Sequence, residues 1–135
     1  MNDVELISLA KEAAKNAYVP YSGYTVGAAL LTEEGKVYLG CNIENAAYGP
    51  TNCAERTAFF KAVSEGERKF SAIAIVGGKA LDFCDYFTPC GVCRQVMAEF
   101  CDSDFRIIVG ENGDGYLSLT LEELLPYTFS ADKLK

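Results

Sequence analysis

Cys53, Cys90 and Cys93, with Glu55 two residues beyond the first of them, are the side chains whose types and spacing could do chemistry in this chain. Thr88-Pro89-Cys90-Gly91-Val92-Cys93 is a P-C-x-x-C at the start of a helical pattern. Residues three apart in a first helical turn share a face, so both sulfurs can reach one ion. The partial positive charge of a helix start also favours thiolate over thiol. Asn52-Cys53-Ala54-Glu55-Arg56 stands at a second point where a helix begins after a polar loop. Taken alone, the C-x-x-C is also compatible with a redox dithiol, with half of a structural zinc site, or with a chance spacing. A redox dithiol, however, leaves Cys53 and Glu55 without a role. Three thiolates from two helix starts supply three corners of a tetrahedron and leave the fourth open for water, which is how catalytic zinc sites differ from closed structural ones. The expectation is one zinc on Cys53, Cys90 and Cys93, with Glu55 as the acid–base group beside it.

The composition narrows the chemistry further. The chain has six cysteines and no histidine. That excludes a Ser-His-Asp or Cys-His nucleophile and any histidine ligand or base. Proton transfer near neutral pH then falls to a carboxylate, a perturbed Lys or Cys, or the metal site itself. In a reducing compartment, cysteines at short spacing indicate metal or catalysis before disulfides. Cys41 in a strand pattern, Cys84 in an irregular stretch and Cys101 after the second helix read as core or loop thiols. Cys84 is the alternative fourth ligand, because its loop leads to Cys90.

The elements that must position these residues follow from the hydrophobic pattern. Asn2 to Ala17 reads as a helix with a capping-box start at Asn2 and Glu5 and an apolar face of Val4, Ile7, Ala10, Ala14 and Ala17. Val26–Leu31 and Val37–Cys41, joined by Glu33-Glu34-Gly35-Lys36, predict an antiparallel hairpin. A polar loop spans 42–52, and Ala54–Ser64 is helical in pattern. Ser71–Val76 reads as a buried strand ended by Gly77-Gly78, and Gly91–Phe100 as a short helix. Arg106–Val109 and Tyr116–Leu119 read as strands, and Thr120-Leu121-Glu122-Glu123 opens a last helix that Pro126 ends. The order α-β-β-α-β-α-β-β-α predicts a layered α/β fold on a mixed sheet of about five strands.

At 135 residues, half of them hydrophobic, the chain fits one domain over 1–135. Nineteen acidic residues against 12 basic give a net charge of −7. Such a surface repels phosphate backbones, so the expected partner is a small neutral or cationic molecule rather than a nucleic-acid polymer. The first residues lack a signal peptide's apolar centre, and no apolar run approaches the ~18 residues that span a bilayer. The expected location is the cytoplasm.

Zinc-dependent deaminases carry H-x-E…P-C-x-x-C, with all-cysteine ligation as a variant. This chain has C-A-E…P-C-G-V-C. Over nearly its whole length it resembles the small homotetrameric cytidine deaminases of the cytidine and deoxycytidylate deaminase family. The matching pieces are Val26-Gly27-Ala28-Ala29-Leu30, Asn42-Ile43-Glu44-Asn45-Ala46-Ala47-Tyr48, Cys53-Ala54-Glu55-Arg56, Pro89-Cys90-Gly91-Val92-Cys93-Arg94-Gln95 and Glu123-Leu124-Leu125-Pro126.

The resemblance implies a three-layer α/β/α deaminase fold, one Zn2+ per subunit, and hydrolysis of cytidine or deoxycytidine to uridine or deoxyuridine plus ammonia, a step of pyrimidine salvage. It implies that Glu55 carries protons from water to cytosine N3 and to the departing amine. Asn42 and Glu44 match the N-x-E whose side chains hold sugar hydroxyls, and the backbone of Ala54 matches a contact to the base. Tyr24 falls where the family usually has Phe beside the base. Phe129 matches an aromatic that enters a neighbouring subunit's site, and Arg56 an arginine that withdraws charge from the ligand sulfurs. A blasticidin-S-type deaminase shares C-A-E and P-C-G-x-C-R-Q and is the nearest rival, although Asn42-Ile43-Glu44 and Arg56 fit cytidine deaminase better. A non-catalytic, zinc-stabilised binding module is the rival from a different class, and it requires a fourth protein ligand.

Overall fold

The structure, a computed structural model, describes residues 1–135. Helix α1 (Asp3–Ala14) begins at Asn2, whose side chain accepts from the Glu5 amide while the Glu5 carboxylate reaches back to the Asn2 amide. The predicted end at Ala17 is a tightened last turn: the amides of Lys15, Asn16 and Ala17 bond three residues back, to Glu12, Ala13 and Ala14. The buried face is also rotated from the expected one. Leu6, Ile7, Ala10, Ala13 and Ala14 are buried, while Val4 lies 55% exposed. Leu6 and Ala13 extend the apolar arc on the side away from Val4.

β1 (Tyr24–Thr32) and β2 (Val37–Cys41) form the predicted antiparallel hairpin, with Leu31 opposite Val37 and Gly27 opposite Cys41. α2 (Ala54–Ser64) follows the 42–52 loop. β3 runs from Phe70 to Lys79, three residues past the expected end at Val76. Gly77 and Gly78 therefore continue the strand instead of breaking it. A Cβ on Gly77 would meet the Phe87 ring at 2.5 Å, and one on Gly78 the Asp82 carbonyl oxygen at 1.8 Å. The glycines admit the segment that leads to Cys90 close against the strand.

α3 (Gly91–Phe100), β4 (Arg106–Gly110), β5 (Tyr116–Thr120) and the one-turn α4 (Leu121–Leu124) complete the order, and a 3₁₀ turn at Ala131–Leu134 ends the chain. The five-stranded sheet has the order β2-β1-β3-β4-β5, and only β3 and β4 are parallel. Successive residues of a strand face opposite sides, so the sheet separates two cores. Ala28, Leu30, Ile73, Ile75, Ile107 and Val109 pack with Ala58, Phe59 and Met97 of α2 and α3. Ala29, Ala72, Ala74, Val76 and Ile108 pack with Leu6, Ile7, Ala10 and Ala14 of α1. The result is the expected three-layer α/β/α arrangement. No helix is long and apolar enough to cross a membrane.

Candidate metal centre and active site

Cys53 is the N-cap of α2 and Cys90 the N-cap of α3, both with extended backbone and neither with a side-chain capping bond. Ser, Thr, Asp or Asn at these positions would turn its oxygen onto the helix amides. The cysteine sulfurs are instead free to face one another. Cys53 Sγ lies 3.7 Å from Cys90 Sγ, and Cys90 Sγ lies 3.5 Å from Cys93 Sγ. All three sulfurs lie within 4.8 Å of one another. Tetrahedral zinc with bonds of about 2.3 Å sets its sulfurs about 3.8 Å apart, so the three atoms have the spacing that zinc needs. Cys41, Cys84 and Cys101 stand outside the cluster. No fourth cysteine closes it, against the requirement of a purely structural site.

Local packing explains why the two helix starts converge. Gly40 in β2 lies under the first turn of α2, where a Cβ would meet the Ala54 carbonyl oxygen at 2.3 Å and the Ala58 nitrogen at 2.6 Å. Thr57 Oγ1 donates to the Cys41 carbonyl at 3.0 Å and receives the Asn52 side-chain amide at 3.2 Å. Ile43 and Asn52 exchange backbone bonds of 3.0 and 2.9 Å. These contacts staple the two ends of the 42–52 loop together, so Asn42 and Cys53 emerge side by side.

Glu55, in the first turn of α2, is 4% exposed. Burial pushes its carboxyl up to about 7, with the negative charge of Cys53 adding to the rise; its own backbone amide, Cys93 and Arg56 pull the other way. The group therefore exchanges a proton in the neutral range. Cys53 is drawn down to about 5 by hydrogen bonding from Cys93 first, and by Arg56 and Cys90. Cys93 is raised, chiefly by the proximity of the Cys53 sulfur and by burial. Hydrogen bonding from its neighbours thus favours the thiolate form of Cys53. Arg56 Nη2 donates to Cys53 Sγ at 3.2 Å, while its Nε is buried without a partner.

The other expected site residues are placed as follows. The Asn42 side chain lies against β1, with Oδ1 accepting from the Val26 amide at 2.9 Å and Nδ2 donating to the Tyr24 carbonyl at 2.8 Å. Glu44 accepts from the amides of Tyr21 and Ser22 at 3.0 and 3.1 Å and from the Ser22 hydroxyl. Tyr21, Ser22, Glu44, Asn45, Tyr48 and Thr51 line a cavity of about 380 Å³. A larger one of about 520 Å³ lies at the far end of α3, around Cys101 and Asp102, and includes none of these groups. Ala54 is fully buried beneath the site. Phe129 is 60% exposed, and its carbonyl accepts from Gln95 Nε2 at 2.8 Å.

Three neighbours were missed by the sequence reading. Phe87 stacks on Tyr24 at 6.0 Å and 25°, and an aromatic three residues before Cys90 was the only local sign of it. Arg94 donates to the Pro89 and Leu124 carbonyls at 2.7 and 2.6 Å. Gln95 holds the Phe129 carbonyl. Both polar residues were visible in the motif, but their partners were not.

A three-layer α/β/α domain with three clustered cysteine sulfurs and a buried carboxyl at the heads of two helices is the architecture of a zinc-dependent deaminase. The family model of the cytidine and deoxycytidylate deaminase zinc-binding region matches residues 1–110. A cytidine deaminase of Sporosarcina psychrophila is 52% identical over 98% of this chain and 95% of its own length. One from Halalkalibacterium halodurans is 51% identical over 96% and 95%. The crystal structure of cytidine deaminase from Burkholderia pseudomallei superposes with a TM-score of 0.88 at 44% identity, covering 96% of this chain and all of that one. The chain belongs to the cytidine and deoxycytidylate deaminase family.

Proposed function

We propose that this chain is a single-domain enzyme that hydrolyses cytidine and deoxycytidine to uridine and deoxyuridine, releasing ammonia. The observation that carries the reading is Glu55, a buried carboxyl with its proton affinity near neutrality, beside three sulfurs spaced for zinc. Cys53, Cys90 and Cys93 hold the ion. When bound, zinc supplies Lewis acidity that makes water nucleophilic near neutral pH. Glu55 takes a proton from the attacking water and delivers it to cytosine N3, which makes C4 electrophilic. It then passes the second proton of that water to the amino group at C4, so that C–N cleavage expels ammonia and the carbonyl forms. Water adds one oxygen to the base and ammonia leaves, so atoms and charge balance.

Around this centre, Asn42 and Glu44 bind the sugar hydroxyls, the Ala54 backbone contacts the base, and Tyr24 with Phe87 walls the ring. Arg56 draws charge from the thiolates. Phe129, exposed on an outlying tail, serves a neighbouring subunit of a homotetramer with shared sites. A net charge of −7 supports a free nucleoside over a nucleic-acid polymer. The enzyme works in the cytoplasm, in pyrimidine salvage.

Zinc stoichiometry and ammonia release from cytidine, cytosine and blasticidin S test the reading together with Glu55→Gln. The wild type should hold one zinc per chain and release ammonia from cytidine. The variant should keep the zinc and lose ~10² to 10⁴ in turnover, the usual share of a general acid–base group. A zinc-loaded wild type that acts on blasticidin S and not on cytidine moves the chain to that rival activity. Undiminished turnover in zinc-loaded Glu55→Gln removes the carboxyl from the mechanism.

A further inference from the structure

Two consecutive side chains of α3 tie the metal-ligand turn to the C-terminal tail. The Arg94 guanidinium donates through Nε to the Pro89 carbonyl at 2.7 Å, through Nη1 to the Leu124 carbonyl at 2.6 Å and through Nη2 to Thr88 Oγ1 at 3.4 Å. Pro89 is fully buried, and its carbonyl belongs to the peptide that carries the Cys90 nitrogen. Cys90 has no capping bond of its own to orient it. Apart from the contacts of its sulfur with Cys53 and Cys93, Cys90 is held by its backbone, on one side of which is the peptide that Arg94 grips. Leu124 ends a four-residue helix, so its carbonyl has no partner inside that helix. A planar fork with donors in fixed directions suits two carbonyls at once, which a lysine ammonium on a flexible stem does not.

Gln95 Nε2 holds the Phe129 carbonyl at 2.8 Å. Leu124 and Phe129 bracket a segment with Pro126 and a left-handed Tyr127, at φ 55°. The other tail bonds are local: Leu125 to Leu121, Thr128 to Leu125, Lys133 to Ser130 in the 3₁₀ turn, and Lys135 to Asp132. Past α4, the tail thus reaches the body through Gln95 of α3, and Arg94 of the same helix grips the carbonyl at which the tail leaves α4, a turn that its Leu121 and Glu122 amides also tie to the Phe105 and Ser103 carbonyls. The same helix supplies Cys90 and Cys93.

We infer that Arg94 is a positioning residue that couples the geometry of Cys90 to the placement of the tail, so that zinc binding and tail docking reinforce each other. Coupling between two sites is reciprocal: if a docked tail steadies the ligand turn, a filled metal site must steady the tail. The inference rests on the zinc reading above, and it assigns a role to a residue that touches neither metal nor substrate.

The test uses the full chain with and without zinc, at a concentration where sedimentation shows unchanged assembly. Amide exchange over residues 125–130 and the rate of zinc transfer to a colorimetric chelator are measured for the wild type, Arg94→Lys and Gln95→Ala. In the wild type, zinc should slow exchange in the tail. Arg94→Lys keeps the charge but not the fork. It should release zinc roughly 10- to 100-fold faster, the range typical of residues that orient ligands, and its tail exchange should no longer respond to zinc. Gln95 is exposed, so Gln95→Ala leaves the fold intact. It frees only the far end of the tail, and it should speed exchange there by about tenfold, one hydrogen bond's worth, with zinc release unchanged. Tail exchange that ignores zinc in the wild type, or an Arg94→Lys protein with wild-type zinc release and wild-type zinc-dependent exchange, overturns the coupling. A wild type that takes up no zinc overturns the metal reading first, and the stoichiometry alone identifies that case.

Discussion

The Asn42 side chain completes the edge of β1: its amide oxygen accepts from Val26 N at 2.9 Å and its amide nitrogen donates to the Tyr24 carbonyl at 2.8 Å. A residue proposed to hold a sugar hydroxyl is therefore also part of the frame. Asn42→Ala should lower thermal stability as well as nucleoside affinity, because it leaves a donor and an acceptor of β1 without partners, at about 1–3 kcal/mol for each that stays buried. Glu44→Gln keeps an acceptor for the Tyr21–Ser22 turn and should spare the fold. It should raise KM for cytidine while scarcely changing the slow reaction of free cytosine. Comparing melting temperature with KM for the two substrates separates these roles. Equal efficiency on cytosine and cytidine in the wild type would rule out sugar recognition at both positions.

Gly40 offers a test of what sets the Cys53 turn in place. A Cβ there would run into backbone atoms of Ala54 and Ala58, at 2.3 and 2.6 Å, which no rotamer change relieves. Gly40→Ala should push α2 away from β2, costing at least ~1–3 kcal/mol as overpacking does, and should weaken zinc binding with it. Gly49 has nothing within 4 Å of its would-be Cβ, so Gly49→Ala is the matched control and should keep both stability and zinc. Thermal melts and zinc content of the two proteins decide the matter, and equal behaviour would mean that α2 is not seated through Gly40.

Acid should loosen the link between α1 and the sheet. Arg106 Nη2 lies 2.6 Å from Asp3 Oδ2 and Nη1 lies 3.2 Å from Oδ1, a two-pronged pair. The Arg106 hydrogen bond holds the Asp3 carboxyl below its ordinary value, against a smaller upward push from burial. A carboxylate whose folded pKa is depressed contributes stability that is present above its unfolded pKa, about 3.9, and is lost as pH falls through the folded value. The pair is partly solvated, so its share is on the order of 0.2–1 kcal/mol. Asp3→Asn should lower the melting temperature slightly at neutral pH and converge with the wild type as the pH falls below the depressed value of Asp3. A difference that persists unchanged into acid would assign the loss to helix capping instead.

Much of the site was legible along the chain because its parts are local. Cys53 and Cys90 stand at helix starts marked by a polar loop and by Pro89, and the bounds of α2 and α3 follow from the same marks. The three-sulfur cluster then needs only that two helix starts meet. What could not be read is what depends on distant packing. Gly77-Gly78 gives the same local sign whether a strand ends or a ring leans on it, and only Phe87 decides between the two. Arg94 finds Leu124 thirty residues away in sequence, a distance that no spacing rule spans. The face of α1 was misjudged at Val4 because the apolar arc extends on the side away from it, through Leu6 and Ala13, and periodicity alone does not rank the two sides.

Arg56 is the residue whose chemistry depends most on the charge count at the sulfurs. Zinc with three thiolates carries one net negative charge, which makes a weaker Lewis acid than a site with neutral ligands. The Arg56 bond to Cys53 Sγ at 3.2 Å draws charge from one of the three sulfurs. Arg56→Gln should therefore cost about 10- to 100-fold in activity, although no ligand or substrate contact is lost. Compensation is the sharper test. Cys53→His replaces a thiolate with a neutral imidazole and brings the site to zero net charge, so Arg56 is no longer needed to balance it. Cys53→His/Arg56→Gln should be more active than Arg56→Gln alone, with zinc content measured in each protein. A double variant that holds zinc fully and is no faster than the single one would show that charge balance is not what Arg56 provides, and its role would then be to hold the ligand loops in place.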